Sequence, residues 1–424
     1  MPSPPQGYYA VSAGPPPPHP ALQHALKADV CVIGGGFTGL SAALHLAEKG
    51  AVTALVEAET IGFAASGRNG GQIHTGLRKD QAELERWLGP IHAHELWALS
   101  EEAKTLLRDL ATRHAITCEL KSGLVIAAHN ARAAGALAED TAHLARHYSY
   151  FAARMMDAEE TRAALGTSLY PAARFDSGGG HLNPLKFARG LAAAAERAGA
   201  ALWEHSPAIA LEPENTHVVV RTPNATVTAD RVLLATDAFS GQLVPELAPF
   251  IGHVESFVTA TAPLPSELAQ AVLSSDAAVA DTRHVLDYYR KSADGRLLFA
   301  GRESYFRPPK DIAALVRPRM LRVYPALANV PTEYAWSGTV GITRTRMPHF
   351  GRLSERVFFA HGYSGQGVAL AVLGGKLLAE AASGRPERFD VFARVPAARF
   401  PGGEFLRKPL VTAALLAFKV MDAL

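Results

Sequence analysis

The apolar positions fall into two periods along the chain. Val30 to Ile33 is a short run of strand formers, followed at once by glycines. Leu40, Ala43, Leu44 and Ala47 then recur at helical spacing, and Gly50 stops that helix. Val52 to Val56 reads as a second strand. Leu96, Leu99, Ala103, Leu106, Leu107 and Leu110 form one side of an amphipathic helix over about 92–113. A further helix is expected over about 131–147, with strands at Ile116 to Glu119 and Leu124 to Ala127 around Ser122-Gly123. Asn183 is a good N-cap and Pro184 a good first-turn residue for a helix that ends at Gly199. Strands follow at about 201–204, 217–221, 225–228 and 231–235. From 250 to 335, runs rich in Tyr, Val and Phe between turns predict an antiparallel sheet. Val357 to Ala360 is a last buried strand, and Val368 to Ala382 a last helix.

The first helix starts on chemistry. Gly34, Gly36 and Gly39 fit G-x-G-x-x-G, with Phe37 and Thr38 between the last two. In that pattern the first glycine makes the turn, the second admits a pyrophosphate, and the third lets helix and strand pack closely. The second strand ends at Glu57, before Ala58, where a carboxylate takes the ribose hydroxyls of an adenosine. Strand, glycine turn, helix, strand and acid in that order specify an adenine dinucleotide. A run of small residues then follows from Ile61 to Gln72, with Ala65, Ser66, Asn69, Gly70, Gly71 and Gln72 exposing backbone N–H groups suited to phosphate and flavin contacts.

Composition narrows the class. At 424 residues the chain is long enough for two domains. A net charge of +2 with scattered charges leaves no nucleic-acid footprint. Two cysteines cannot build a disulfide framework, so a cytoplasmic protein is expected. No signal peptide is read, and the apolar stretches are too short to span a bilayer. Residues 1–27 form an extended Pro-rich arm that docks through Tyr8 and Tyr9. The tail is 391–424, and from Glu404 to Leu424 it alternates basic and apolar residues at roughly helical spacing, which suits packing on the body or weak contact with a membrane surface. No metal site is expected: His92, His94 and Glu95 do not share a helix face, and His143 and His147 lack a third ligand.

Later motifs carry a family resemblance over nearly the whole chain. They are Tyr8-Tyr9-Ala10, Ser66 to Gln72, Gly179-Gly180-His181 with Pro184-Leu185, Leu286 to Arg290, Arg346-Met347-Pro348 with Phe350 to Leu353, Gly362 to Gly365 with Gly367-Val368, and Phe400 to Gly403. With the glycine motif, these resemble FAD amine oxidases of the D-amino-acid-oxidase superfamily, most nearly its γ-glutamylputrescine oxidoreductases. The resemblance implies an α/β plus β fold: a Rossmann-like FAD domain of the glutathione-reductase type with an inserted antiparallel-sheet substrate domain. The expected FAD domain is discontinuous (28–88, 176–240 and 337–390), and 89–175 with 241–336 form the substrate domain.

The resemblance further implies that Ala208, Ala235 and Thr236 lie near the adenine. It puts Ser364, Gly365, Gln366, Gly367 and Val368 at the pyrimidine edge of the flavin. Gln72 and His74 are candidates beside the ring, with no catalytic residue assigned. Tyr288, Tyr289, Tyr305 and Trp336 are candidate walls for a cationic amine, and Arg302 a candidate partner for a distant carboxylate. The expected reaction is oxidation of a primary amine to an imine that hydrolyses to aldehyde and ammonia, with oxygen or another acceptor taking the electrons. The alternative is a secondary amino acid such as pipecolate, sarcosine or proline. A flavin module without its own substrate is a third reading, against which the aromatic insertion argues. Two features depart from the related sarcosine oxidases. Phe299 aligns with their lysine over the flavin, and Gln72 to Gly76 contains no arginine. No cysteine stands at the attachment positions, so FAD is expected to be non-covalent.

Overall fold

A computed structural model describes residues 7–304 and 309–401, and two sheets organise it. The first is built on the buried strand Leu26–Ile33, which pairs in parallel with Thr53–Val56 on one side and Thr226–Leu234 on the other. Ala201–Trp203 and Val357–His361 extend it, again in parallel. Antiparallel strands finish it: His349–Arg352 on Val357–His361, and Val218–Arg221 with Ala210–Pro213 beyond Thr226–Leu234. The central strands are buried on both faces, which is why they read as unbroken apolar runs. The separate strands expected at 225–228 and 231–235 are one strand that runs through Asp230.

Helices Phe37–Ala47, Pro184–Arg197 and Gly367–Ala382 pack together, and Gly367–Ala382 also lies against Pro90–Arg113. Leu373, Leu377 and Leu378 are fully buried, and each such side chain contributes about 1.5–3 kcal/mol. The Asn183 side chain accepts a hydrogen bond from Lys186 N–H, capping its helix as expected.

The second sheet runs in the order Thr332–Ile342, Gly252–Thr261, Leu297–Ser304, Tyr288–Lys291, Ala278–Asp281, Lys121–Ala128, Ala172–His181 and Gln72–Ile73, with Ala153–Met156 also paired to Ala172–His181. It is mixed rather than purely antiparallel, because Ala278–Asp281 pairs in parallel with Lys121–Ala128. Its edge strand, Gln72–Ile73, comes from the nucleotide-loop segment, so the two sheets are stitched by the chain itself. Ile116 to Glu119 is not a strand; Ala115 and Glu119 both have left-handed backbones there. The stretch 250–335 also contains the helix Ile312–Val323, whose Val316, Met320 and Val323 close the core under the sheet. The arm is not wholly extended, because Tyr8–Ser12 is a helical turn with both tyrosines buried. The tail from residue 402 onward and Tyr305 lie outside the described residues. Among the described residues, no helix is long and apolar enough to cross a membrane. Cys31 and Cys118 are both buried and free.

His45 and His181 are buried, and desolvation lowers each to a pKa of about 4. In the unfolded chain they protonate near 6.5. The stability they contribute is therefore present above about pH 6.5 and lost as pH falls toward 4. Asp281, raised by burial to about 6, acts in the opposite sense over the same range. We expect His45→Gln to flatten the fall in stability between about pH 6 and 5 by up to about 1.4 kcal/mol per pH unit. Urea unfolding of both proteins at the two pH values checks this, and identical slopes would contradict it.

Candidate active site

The glycine turn is shaped by what stands against it. Gly34 has φ +112°, and a Cβ there would lie 2.6 Å from the Ala235 carbonyl oxygen. A Cβ on Gly39 would lie 1.8 Å from the Gly34 oxygen, so only glycine lets this helix sit down on its strand. At Gly36 the added carbon would meet Ser66 Oγ at 2.9 Å. Ser66 Oγ also accepts from Phe37 N–H at 3.0 Å, supplying the cap that Gly36 lacks. The second strand delivers Glu57, which accepts from Gly35 N–H at 2.5 Å and Glu59 N–H at 2.9 Å. Burial raises its pKa against the pull of those two donors. Ala58 is exposed beside it. Ala235 and Thr236 lie directly over the turn, whereas Ala208 packs with the apolar cluster that contains Cys31, Ala54 and Val56.

Asn69 folds the following loop. Its Nδ2 donates to Ala65 O at 2.8 Å and Ser66 O at 3.1 Å, and its Oδ1 accepts from Gly71 N–H at 2.7 Å. The loop is then held from outside. Arg290, 2% exposed, donates from Nε to Gly70 O at 2.9 Å and from Nη2 to Tyr9 Oη at 3.1 Å. The arm, the second sheet and the nucleotide loop therefore meet at one guanidinium, whose fork geometry suits several acceptors at once. Tyr288 faces the same place: a Cβ on Gly70 would lie 2.7 Å from its ring, and its hydroxyl shares a hydrogen bond with Ser256 at 2.8 Å.

The late loop and the helix after it each contact the first helix. Tyr363 Oη and Thr38 Oγ1 are 2.8 Å apart. A Cβ on Gly375 would lie 2.2 Å from Thr38 O, so the two helices touch backbone to backbone. Ser364, with φ +53°, donates to Gly362 O at 3.0 Å and accepts from Thr343 N–H at 3.2 Å. Gly365 also has positive φ, Gly367 opens the last helix, and Val368 is buried in the core. Asp237, to which sequence reasoning gave no role, joins the segments by accepting from Gly341 N–H at 3.1 Å and Gly362 N–H at 2.8 Å. Its only signal in the sequence is its place after the strand ending at Leu234.

A cavity of about 550 Å³ opens beside these loops. His74 and Gln366 stand on its wall, and Gln366 Oε1 is buried with no hydrogen-bond partner among the described residues. Burial, with Arg78 and Arg174 nearby, lowers the His74 pKa to about 4, so its imidazole is neutral at pH 7. Tyr150 Oη, on the same wall, donates to Asp176 Oδ1 at 2.6 Å and accepts from Lys104 Nζ at 3.1 Å.

Several expected site residues lie elsewhere. Gln72 is buried and donates to Val279 O at 2.8 Å, so its amide is committed to the sheet. Tyr289 is 1% exposed, stacked on Phe299 at 5.3 Å in the core beneath the sheet. Phe299 therefore points away from the nucleotide loop, because neighbouring strand residues face opposite ways. Trp336 is also 1% exposed, packed edge-on to Tyr9 with its Nε1 donating to Arg68 O at 2.9 Å. Arg302 is off the cavity wall, near Asp287, Arg319 and Arg322. Arg78, two residues beyond the stretch read for an arginine, is on the wall.

The glycine cradle, the enclosed Glu57 carboxylate, the Ser66 loop and the orphaned Gln366 oxygen together fit a flavin dinucleotide. A family model described as FAD dependent oxidoreductase matches residues 29–381, and the chain belongs to that family, the D-amino-acid-oxidase (DAO) family. It is an FAD-dependent oxidoreductase. Among its relatives is the γ-glutamylputrescine oxidoreductase of Escherichia coli K12, 38% identical over 419 residues, which are 98% of each chain. Among solved structures, the glycine oxidase of Geobacillus kaustophilus superposes with a TM-score of 0.73 at 21% identity, covering 85% of this chain and 95% of that one. The L-proline dehydrogenase of P. horikoshii gives 0.71 at 19% identity, covering 84% and 93%.

Gly36→Val is expected to purify without flavin, read from absorbance near 450 nm, because its side chain enters the space between the helix start and Ser66. Full flavin content would contradict this. Arg290→Met should weaken FAD roughly ten- to hundredfold, the loss of charged hydrogen bonds worth about 1.5–3 kcal/mol. FAD titration of apoprotein, with circular dichroism to confirm folding, measures it. An unchanged dissociation constant would show that the loop holds itself.

Proposed function

We propose that the protein oxidises the terminal primary amine of a slender aliphatic substrate bearing a polar or anionic head, as in a γ-glutamyl diamine. The observation that carries this is the charged cavity at the junction of the two flavin-side loops, in a chain matching the E. coli γ-glutamylputrescine oxidoreductase from end to end. Arginines and aspartates line the cavity together, which suits a zwitterionic head. Gln72 to Gly76 contains no arginine, so an α-carboxylate has no partner there beside the ring.

The substrate ammonium must lose a proton before its α C–H can react. A cavity that desolvates the ammonium lowers its pKa, and the neutral His74 adds no competing cation. Non-covalently bound FAD supplies a two-electron acceptor for the C–H bond. Tyr288 is off the cavity wall, and its ring packs on Gly70 to hold the nucleotide loop beside the cavity. The carbon gives up a hydride, two electrons with one proton, to leave a protonated imine, and water then converts that iminium to an aldehyde and ammonium.

With γ-glutamylputrescine, one ammonia is expected per amine consumed, together with a trappable aldehyde. Sarcosine and proline should turn over far more slowly and release no ammonia, since neither yields a primary imine of that kind. Anaerobic flavin bleaching rates with the three substrates, with ammonia assayed alongside, decide. Faster oxidation of sarcosine or proline would replace this reading with a secondary amino acid oxidase.

A further inference from the structure

We infer that Arg78 anchors a substrate carboxylate remote from the reacting carbon; this rests on the amine-oxidase reading above. Three arginines line the cavity. Arg174 is paired with Asp140, and Arg283 with Asp281 and, at 3.7 Å, Asp287. Their charges are already answered by the protein. Arg78 makes no hydrogen bond or ion pair among the described residues, and its side chain is exposed to the cavity.

The surroundings sharpen the contrast. Arg346 repels the Arg78 guanidinium, while Glu303 and Asp80 attract it from a distance. Surrounding protein pushes its pKa down, yet a guanidinium stays charged throughout the physiological range. A charged, partly desolvated and unpaired fork is complementary to a planar anion, and a carboxylate meets it with two parallel hydrogen bonds. Phosphate would also fit such a fork, but the aspartates on the same wall disfavour a second negative charge.

Position supplies the distance. His74 and Gln366 mark where the flavin-side loops meet the cavity, and Arg78 lies four residues beyond His74. Four residues span at most about 14 Å. That reach suits a carboxylate separated from the reacting carbon by a chain, as in a γ-glutamyl diamine.

The test uses flavin-loaded wild type, Arg78→Ala and Arg78→Lys with two amines: γ-glutamylputrescine and N-acetylputrescine, which has no carboxylate. Wild type should favour the acid. Arg78→Ala should lower kcat/KM for γ-glutamylputrescine roughly ten- to hundredfold more than for N-acetylputrescine. The loss should fall mainly on KM, and Arg78→Lys should recover part of it. Equal losses on both amines, or none on the acid, would overturn the anchor while leaving amine oxidation standing. A wild type that oxidises neither amine would instead overturn the reading on which the anchor rests.

Discussion

The structure depends on one close approach: the backbone of the first helix is pressed at once against its own strand and against the last helix. Gly39 allows the first contact and Gly375 the second. A side chain at either would collide with a carbonyl oxygen about 2 Å away, and no local repacking relieves a backbone clash. Because the last helix sits so near, the loop that precedes it arrives at the start of the first helix. Tyr363 locks the two there through Thr38, and Asp237 ties the loop to the end of the second sheet. The cofactor cradle is therefore built from segments more than 300 residues apart in the chain.

The second sheet is fixed to this cradle by polar contacts. Arg290 reaches across from the sheet to the Gly70 carbonyl, and Tyr9 of the arm holds the far side of the same guanidinium. Below it, Asp287 takes Arg319 and Arg322, and Asp281 takes Arg283. These buried carboxylates are costly to desolvate, and their pairing offsets that cost. The result is a cavity with fixed charges on its walls, where Arg78 has no ion-pair partner among the described residues, next to loops shaped for a dinucleotide.

How much of this was legible in the sequence follows from what each signal depends on. The glycine turn, the Glu57 strand end and the Asn183 cap are local, since neighbouring residues determine them; the turn and the cap form as read, and Glu57 closes on the turn through Gly35 N–H. Tyr288 and Tyr289 show the limit. Period-two alternation says that one faces up and the other down, but not which face meets the nucleotide loop. Tyr289 and Phe299 fell on the far face for that reason, whereas Trp336 is on the loop side but covered by Tyr9 and Arg68. Arg302 lies within the strand Leu297–Ser304 and Arg78 in the loop beyond Gln72–Ile73, and which of the two meets the cavity is set by tertiary packing. Asp237 was hidden similarly, because its partners, Gly341 and Gly362, are over 100 residues away.

The central claim is that this cavity presents an amine to the bound flavin. Anaerobic mixing of the flavin-loaded protein with γ-glutamylputrescine, followed at the oxidised flavin band, tests it most directly. The account predicts complete bleaching at a rate that saturates with amine concentration. A flavin that stays oxidised with this amine, in protein that dithionite reduces normally, would contradict it.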